Sequence, residues 1–389
     1  MAALRRFAIV APNFYPRTCG VGDHSARLAG ELRKRGHEVT IYSRAPAAAH
    51  PDAPDIEAVG AAGRFPMAIA RALGEAMAAR APTDVIVQFT PQMWDAWRFG
   101  SPALVWLAAR ARRAGARVTL IAHELHVPWQ RRPDLITAAA LQRVQLAALL
   151  AICHRVFVTT ETRLPYVAPM LRLLGAAAPG VIRVGPNALP PATPGTAARA
   201  ARAAQSPVIG VFSTGGAGKR LDVAMDAFAR IAAELPEARM VLIGDLGGGD
   251  PARAAAVAAD IARHPAGARV RVTGKLPLAG VAAEVAALDL YLFTMDTGVN
   301  TRSGTLPVAL GSGVPVVGVV GADTDLMLFR DGENVGLARA LDGAAFAEAA
   351  LRLLRDPAAA ARIADGGRRL YDEHLSWGRI TDGLLAQLR

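Results

Sequence analysis

The sequence predicts an α/β protein made of two Rossmann-like domains, each built on a doubly wound parallel sheet. Three observations lead there: a length of 389 residues, apolar runs that alternate with helical stretches, and a proline-rich break near the middle. A chain of this length is long enough to form two separate cores. Strands that alternate with helices favour parallel βαβ units in an open sheet.

Short apolar runs rich in Val, Ile and Phe predict the buried strands. In the first half they are FAIVAP, EVTIYS, DVIVQF, RVTLIAH and RVFVTT. In the second half they are VIGVFS, ARMVLIGD, RVRVTG, LDLYLFT and VPVVGVV. Between most of them lie stretches of helical pattern, such as SARLAGELRKRG, whose last turn carries cations before a glycine stop.

The break near the middle predicts the domain boundaries. Residues 186–194 hold four prolines, and little periodicity survives there. We therefore expect an N-terminal domain over 1–185, a linker over 186–206, a C-terminal domain over 207–370 and a closing C-terminal helix over 371–389. Ligands of open parallel sheets bind outside the carboxyl ends of the strands, so a central cleft that the two domains face is the expected site.

Charge is unevenly distributed along the chain. Residues 1–205 hold 25 Lys+Arg against 12 Asp+Glu, a net of +13, and the totals of 44 and 33 leave 19 against 21, a net of −2, for the rest. The basic half predicts an anionic partner: a phosphorylated substrate, an acidic membrane surface or nucleic acid. Nucleic acid is not expected, because no recognition motif accompanies the charge. A drift toward arginine in an Ala/Arg-rich chain is the alternative.

Cysteine use and hydropathy predict the compartment. Cys19 and Cys153 are too few for a disulfide framework or a zinc motif. No apolar run is expected to reach the length needed to cross a bilayer, and the first residues lack a signal-peptide pattern. We expect a cytoplasmic protein, with the inner face of the membrane as the place where its basic half would act.

Two loops of the first half are candidate binding loops. Gly20-Val21-Gly22 precedes a helix predicted to begin near Asp23, where small residues and a helix N-terminus suit an anion, although a plain turn fits as well. His123 follows a strand directly, and its spacing from the next histidine does not fit a metalloprotease. It is interpreted as a polar contact or a general base, with a structural histidine as the alternative.

Two loops of the second half predict a phosphate site. Gly218-Lys219-Arg220 ends a glycine-rich stretch, and lysine is rare, since Lys34 and Lys275 are the only others. Flexible backbone beside cations suits a diphosphate, and a solvated surface turn is the alternative. The second loop, Asp296–Thr305, brings Arg302, Ser303, Gly304 and Thr305 to a helix start. Hydrogen bonds to a charged group contribute roughly 1.5–3 kcal/mol each.

The motifs together resemble the GT-B glycosyltransferases, in particular glycosyltransferase family 4, over nearly the whole chain. GVGDHSARLAGELRKRGHEVTIYS is similar to the family's first glycine-rich loop, helix and second strand. HELHVP stands where the family has His-Asp, and VIRVGPNALP resembles the end of its N-terminal domain. GVFSTGGAGKRLDVAMDAFARI is similar to the loop with the diphosphate lysine, and GSGVPVVG to a Cys-Gly-x-Pro-Val-Val segment.

The resemblance implies a nucleotide-diphosphate-sugar donor, an acceptor on the N-terminal domain, retention, and no cofactor or metal. Lys219, Arg302 and His123 are the implied catalytic residues, with His123 on the donor sugar. The Gly20–Gly22 loop, Gly218, Arg220 and Ser303–Thr305 would bind the donor phosphates, and Asp23 would lie on the acceptor side. The implied sugar or base contacts are Asp296, Asn300, Lys275 and Leu276.

The chain departs from the family at several positions. Its paired glutamates align with Asn300 and Val308, and an arginine before the lysine is replaced near Thr214 or Gly215. Asp323-Thr324-Asp325 spells the DxD of metal-using transferases and is interpreted as a chance match. A lipid-linked or otherwise anionic glycan acceptor is expected. An inactive relative and a sugar-nucleotide epimerase remain open alternatives; a phosphorylase lacks a good pyridoxal lysine.

Overall fold

The computed structural model describes residues 4–17, 20–44, 47–51, 53–61, 66–94, 99–129, 131–192, 206–213 and 218–388. The chain divides into two compact units. The first comprises Met1–Val184 with Ile380–Arg389, and the second comprises Gly185–Arg379. Each unit has its own buried apolar core on a parallel sheet.

The first unit contains a seven-stranded sheet in the order β3-β2-β1-β4-β5-β6-β7, with every described pairing parallel. The strands are β1 Arg6–Ala11, β2 Glu38–Ser43, β3 Glu57–Gly60, β4 Asp84–Phe89, β5 Arg117–Ala122, β6 Arg155–Val158 and β7 Gly180–Val181. The helices are α1 Gly20–Lys34, α2 Pro66–Arg80, α3 Pro102–Arg113, α4 Pro133–Ile152 and α5 Leu164–Leu173.

The second unit contains a six-stranded parallel sheet in the order β10-β9-β8-β11-β12-β13. The strands are β8 Val208–Phe212, β9 Arg239–Ile243, β10 Val270–Val272, β11 Leu290–Leu292, β12 Val316–Val319 and β13 Gly336–Ala338. The helices are α6 Leu221–Glu234, α7 Pro251–Arg263, α8 Leu278–Ala286, α9 Leu306–Gly311, α10 Gly343–Arg355, α11 Pro357–Leu370 and α12 Trp377–Gln387.

The predicted fold class is confirmed, since both halves are doubly wound parallel sheets with helical crossovers. The strands are nearly continuous apolar runs because both faces of such a sheet are covered. In the first sheet the order reverses between β1 and β4, and in the second between β8 and β11. These are the points at which doubly wound sheets bind ligands.

The segments at the predicted boundaries differ from a plain linker and a plain closing helix. Within 186–192, Ala188 is buried in the second unit and the Asn187 amide donates to the Gly304 carbonyl at 3.0 Å. Residues 193–205 lie outside the described part of the chain. At the other end, a π-helical turn over Tyr371–Leu375 precedes α12, and the last residues from Ile380 onward join the first unit.

Helix α4 corrects one expectation from the sequence. Its 20 residues are long and apolar enough to cross a membrane by length and composition. Asp134, Arg143 and two glutamines interrupt the apolar letters, which hid its hydropathy. In the structure α4 is the crossover helix between β5 and β6. A helix that packs on a sheet can also reach the length and hydropathy of a membrane span.

Candidate active site

The two predicted phosphate loops of the second unit lie side by side. They follow β8 and β11, which are hydrogen-bonded neighbours in the sheet. The Arg220 amide donates to the Thr294 carbonyl at 2.8 Å, and the Asp296 amide donates to the Gly218 carbonyl at 2.9 Å. Lys219 and Met295 form the antiparallel bridge between these bonds. The contact fixes Gly218–Arg220 against the start of the Asp296–Thr305 loop.

Lys219 is the half-buried cation of this site. Its Nζ donates to the Phe212 carbonyl at 2.9 Å, at the end of β8, and lies 5.6 Å from the centroid of the Phe212 ring. Among the described residues the ammonium has no carboxylate partner. Burial removes water from the charge and lowers the pKa of Lys219 to about 8. An anionic ligand would restore the balance of charge there.

Gly218 is required where the two loops touch. Its φ is +83°, a conformation that favours glycine. A Cβ at this position would lie 2.7 Å from Oδ1 of Asp296. Arg220 is exposed and hydrogen-bonds Asp222 on α6 at 2.8 Å, so its guanidinium is held at the helix start. The rest of the predicted glycine loop, residues 214–217, lies outside the described residues.

Asn300 organises the second loop from inside. It is fully buried, its Nδ2 donates to the Gly298 carbonyl at 2.7 Å, and its Oδ1 accepts from the Arg302 amide at 3.1 Å. The amide therefore stabilises the turn that presents Arg302. The predicted sugar contact of Asn300 is not tested, but these bonds are the ones that the structure assigns to its side chain.

Arg302 is held by an acidic partner on the next loop. Its Nη1 lies 2.6 Å from Oδ2 of Asp323, and both side chains are largely shielded from solvent. Two backbone bonds dock the loops together: Val299 N donates to Val319 O at 2.9 Å, and Asp323 N donates to Thr297 O at 3.0 Å. Asp323 thus fixes the direction of the Arg302 guanidinium.

The helix start at Thr305 differs from the expected one. Helix α9 begins at Leu306 and has only six residues, with Pro307 in its first turn as predicted. Ser303 Oγ and Thr305 Oγ1 lie 3.0 Å apart and hydrogen-bond each other. Gly304 packs so closely on Asn187 that a Cβ would lie 1.9 Å from its Oδ1. The macrodipole of so short a helix is a smaller attraction for an anion than the sequence suggested.

In the first unit, His123 lies at the carboxyl end of β5 and contacts a buried polar chain. Its Nε2 lies 2.7 Å from Oε1 of Gln88 on β4, and Gln88 Nε2 lies 3.4 Å from Nδ1 of His24 on α1. The two imidazole rings pack edge to face with centroids 4.8 Å apart. With Gln88 accepting, His123 carries its proton on Nε2.

The environment of His123 keeps the ring neutral. Burial, followed by the nearby Arg163 charge, lowers the pKa of His123 to about 4, and burial also holds the pKa of His24 well below its usual range. Arg163 donates to the His123 carbonyl and, at 2.9 Å, to Oε2 of Glu124. A ring with this pKa is a neutral polar contact at pH 7 and a poor general base.

The Gly20–Gly22 segment is not a loop before the helix. Within the described residues α1 already begins at Gly20, so both glycines lie in its first turn. Gly22 permits a close approach, since a Cβ would lie 2.9 Å from the Asn13 carbonyl oxygen. Asp23 Oδ1 lies 3.3 Å from Nε2 of the buried His50. In general, the backbone amides in the first turn of a helix can bind an anion, and the predicted phosphate contact of this segment rests on that property.

Two predicted residues follow a strand that does not adjoin β8 or β11, and other site residues were missed. Lys275 and Leu276 follow β10 at the sheet edge, with β9 between them and β8. Sequence patterns did not single out Gln88 or Arg163, or the contact of Asp323 with Arg302. A glutamine within the apolar strand DVIVQF was the one usable signal, because a polar residue buried on both sides needs a partner.

Metal ligation was considered from the acidic groups. No cluster of three or more His, Cys, Asp or Glu side chains with metal-binding geometry occurs in the part of the chain that the structure describes. Asp323 pairs with Arg302, and Oδ1 of Asp325 accepts from the Met327 amide at 2.9 Å. The two acids of the DxD sequence therefore serve separate contacts. Independence from metal remains a prediction.

Comparison with known proteins gives one domain match and several fold matches. Residues 206–356 match the family profile described as Glycosyl transferases group 1. Among solved structures, Anabaena HepE in complex with UDP and glucose superposes with a TM-score of 0.70 at 16% identity, covering 99% of each chain. Sucrose-phosphate synthase of Thermosynechococcus elongatus gives 0.69 at 18%, again over 99% of each chain. No curated protein sequence matches.

A third structure, WaaG, described as a glycosyltransferase of lipopolysaccharide biosynthesis, gives a TM-score of 0.64 at 14% identity over 97% of this chain and 98% of its own. The likeness to these solved structures shows that the chain has the GT-B fold. Its residues 206–356 match the Glycosyl transferases group 1 family. The narrower assignment to glycosyltransferase family 4 remains a prediction.

Proposed function

We propose that this protein transfers a sugar from a nucleotide-diphosphate donor to an acceptor hydroxyl, with retention and without a metal. The observation that carries the proposal is Lys219, a half-buried ammonium without a carboxylate partner among the described residues, at the switch point of the second sheet. Arg302 lies in the loop docked beside it. A diphosphate is the ligand that matches two fixed cations and the surrounding backbone amides.

A uridine nucleotide is the first donor to test. HepE is described in complex with UDP-glucose, and the pneumococcal O-GlcNAc transferase GtfA in complex with UDP and GlcNAc. Lys275 and Leu276 are proposed base contacts, and Asp296 is proposed to bind sugar hydroxyls because its carboxylate is exposed beside Gly218. Guanosine diphosphate sugars remain the second choice.

The chemistry follows from where charge develops. The bond between the anomeric carbon and the diphosphate oxygen breaks, and negative charge builds on the departing phosphate. The acceptor hydroxyl oxygen bonds to the anomeric carbon from the same face, and its proton passes to the departing diphosphate. Lys219 and Arg302 stabilise that charge in a partly desolvated site, where preorganised cations act without reorganisation. His123, neutral at pH 7, hydrogen-bonds a donor-sugar hydroxyl through Nδ1, because Nε2 is engaged by Gln88. Asp23 and the first turn of α1 serve the acceptor side.

The acceptor is proposed to be anionic, in the form of a lipid-linked glycan at the inner face of the membrane. The net charge of +13 over residues 1–205 supports it. The description of WaaG as an enzyme of lipopolysaccharide synthesis is consistent with a role in cell-envelope glycans. The protein would then be cytoplasmic and peripheral.

A second candidate, an inactive nucleotide-binding relative, is favoured by one observation. Asn300 and Val308, which align with the family's paired glutamates, are both fully buried. A sugar-nucleotide epimerase on the same fold is the third. Incubation with a panel of nucleotide sugars separates them: released nucleotide supports transfer or hydrolysis, an isomerised donor supports the epimerase, and binding without turnover supports the inactive relative.

The direct test is a thermal-shift screen of nucleoside diphosphates against the wild type and Lys219→Ala. A ligand at 100 times its Kd stabilises the protein by about 2.7 kcal/mol. The wild type should shift with one nucleotide, and Lys219→Ala should not. Lys34→Ala, an exposed lysine of the first unit, is the matched control and should shift like the wild type. A nucleotide shift that survives Lys219→Ala would refute the proposed site.

A further inference from the structure

Helix α4 has a well-defined inner face in the first unit. Oε1 of Gln142 accepts from the Val127 amide at 2.8 Å, and Gln145 both accepts from the Ser101 amide and donates to its carbonyl. Leu146 and Leu149 on the same side are buried in the core. Because this side is fixed by hydrogen bonds and packing, the opposite side of α4 faces outward.

The outward side of α4 is apolar. Leu141, Val144, Ala148 and Ala151 follow the three- and four-residue spacing of one helix face, and Val144 is 67% exposed. A surface helix normally carries polar or charged residues there. This departure explains why α4 has the hydropathy of a membrane span while less than half of it is buried.

Helix α5 also has an exposed apolar face. It packs beside α4. Tyr166, Pro169, Met170 and Leu173 have the spacing i, i+3, i+4, i+7 of one face, and all four are exposed. Leu173 is 84% exposed and Tyr166 is 70% exposed. We name Trp129, Leu141, Val144, Tyr166, Met170 and Leu173 the α4–α5 face.

Arginines accompany the α4–α5 face. Residues 129–175 contain Arg131, Arg132, Arg143, Arg155, Arg163 and Arg172, with Asp134 and Glu161 as the acidic residues. Arg163 is buried and pairs with Glu124, so it is not part of this surface. Arg131 and Arg172 are exposed. The Arg143 guanidinium lies 4.3 Å from the ring centroid of Trp129, which is itself 58% exposed. Apolar residues with Trp, Tyr and arginine around them are typical of surfaces that enter the headgroup region of a bilayer.

We propose that the α4–α5 face binds the surface of an anionic lipid bilayer. Its apolar side chains enter the boundary between headgroups and acyl chains, and its arginines contact lipid phosphates. A second copy of the chain fits less well, because an isologous pair would bring two arginine-rich surfaces together. The inference extends the proposed peripheral contact of the basic half: it assigns the contact to two helices and adds apolar insertion to charge.

Vesicle sedimentation of the full chain without nucleotide tests this directly. The vesicles are phosphatidylcholine alone or mixed with phosphatidylglycerol, at low and high salt. Wild-type protein should partition onto the mixed vesicles. The double variant Tyr166→Ser/Leu173→Ser should partition at least about tenfold less, because it removes inserted apolar area. Val144→Ser, on the other helix, should weaken partitioning in the same direction.

Charge variants and matched controls complete the experiment. Arg131→Gln and Arg172→Gln should each weaken partitioning about fivefold at low salt and less at high salt. Met327→Ser, 79% exposed in the second unit, and Arg362→Gln on α11 should partition like the wild type. The serine variants alter exposed side chains, and their circular dichroism and melting should match the wild type.

Three outcomes would overturn the inference. The first is a wild type that does not partition onto anionic vesicles, and the second is equal partitioning of wild type and Tyr166→Ser/Leu173→Ser. The third is a wild type that sediments as a dimer without vesicles and becomes monomeric in the double variant, which assigns the face to a second copy. Because no donor is present, the result is independent of transfer activity. If the protein does not bind vesicles but transfers sugar to a soluble acceptor, the membrane inference is wrong and the proposed function is supported.

Discussion

The two strand-end sites of this protein differ in the charge that they hold. In the second unit, Lys219 and Arg302 are cations held by a carbonyl and a carboxylate on neighbouring loops. In the first unit, His24, Gln88 and His123 form a neutral hydrogen-bonded chain in which burial lowers both histidine pKa values. Charge suits a diphosphate and neutrality suits sugar hydroxyls. The comparison predicts a division of labour that mutation can separate.

The largest expected effect is that of Lys219→Ala on donor turnover. Loss of a cation that stabilises the departing diphosphate should lower kcat/KM by about 10³-fold, within the range of single electrostatic groups. Release of nucleotide from the best donor is the measurement. Lys219→Arg should recover part of the rate. A kcat/KM of Lys219→Ala within tenfold of the wild-type value would contradict this role of Lys219.

The next effect is that of His123→Ala, which should separate chemistry from nucleotide binding. We expect turnover to fall by about 10²-fold, because a hydrogen bond to a donor-sugar hydroxyl strengthens in the transition state. The Kd for free nucleoside diphosphate should stay within about twofold of wild type, since the imidazole contacts no phosphate. Calorimetry and a rate assay on the same preparation measure both. An equal loss in both quantities would contradict a sugar-side role.

A smaller effect is the pH dependence of nucleotide affinity. The pKa of Lys219 is lowered to about 8, so its ammonium is protonated below that pH and lost above it. Affinity should therefore fall as pH rises, by about tenfold between pH 7 and pH 9, as the protonated fraction falls from about 0.9 to about 0.1. Lys219→Arg should show a flat profile over this range. A wild-type profile as flat as that of the arginine variant would remove Lys219 from the phosphate site.

The smallest effect at neutral pH is expected for Gln88→Glu. A carboxylate between His24 and His123 favours their protonated forms and raises the pKa of His123 from about 4 by about 1–3 units. Wild-type turnover should then be level from pH 6 to 8, and the variant should lose activity as pH falls toward its new pKa. Gln88→Met, which cannot hydrogen-bond either ring, should lower turnover without adding that acid limb. Superimposable pH profiles would show that Gln88 does not set the state of His123.

The strands show how much of the fold could be predicted. Long apolar runs such as DVIVQF and RVTLIA were located because burial on both faces leaves few polar residues in them. The missed strands, β3, β7 and β13, have two to four residues and lie at the sheet edges. At that length an apolar pattern does not differ from that of a loop.

The candidate site could be predicted only where a signal is local in the sequence. Lys219 could be predicted because a rare lysine in a glycine-rich stretch is a local signal. The ion pair of Arg302 with Asp323 spans 21 residues, and the Gln88–His123 bond spans 35, so both depend on sheet order, which sequence patterns do not contain. Asn300 is a sugar contact implied by the family resemblance; its amide hydrogen-bonds the loop backbone, and its contact with a sugar remains a prediction. Helix α4 was missed as a long apolar segment because Asp134, Arg143 and two glutamines interrupt its apolar letters.

Calorimetric titration of UDP into wild type, Lys219→Ala and His123→Ala tests the central claim most directly. The account predicts that UDP binds the wild type and that binding weakens by about 10- to 150-fold in Lys219→Ala, since a hydrogen bond to a charged group contributes about 1.5–3 kcal/mol. It predicts wild-type affinity in His123→Ala. Should UDP fail to bind the wild type, GDP is titrated in its place. Equal binding by all three proteins, or equal loss in both variants, would contradict the division between a phosphate site in the second unit and a sugar contact in the first.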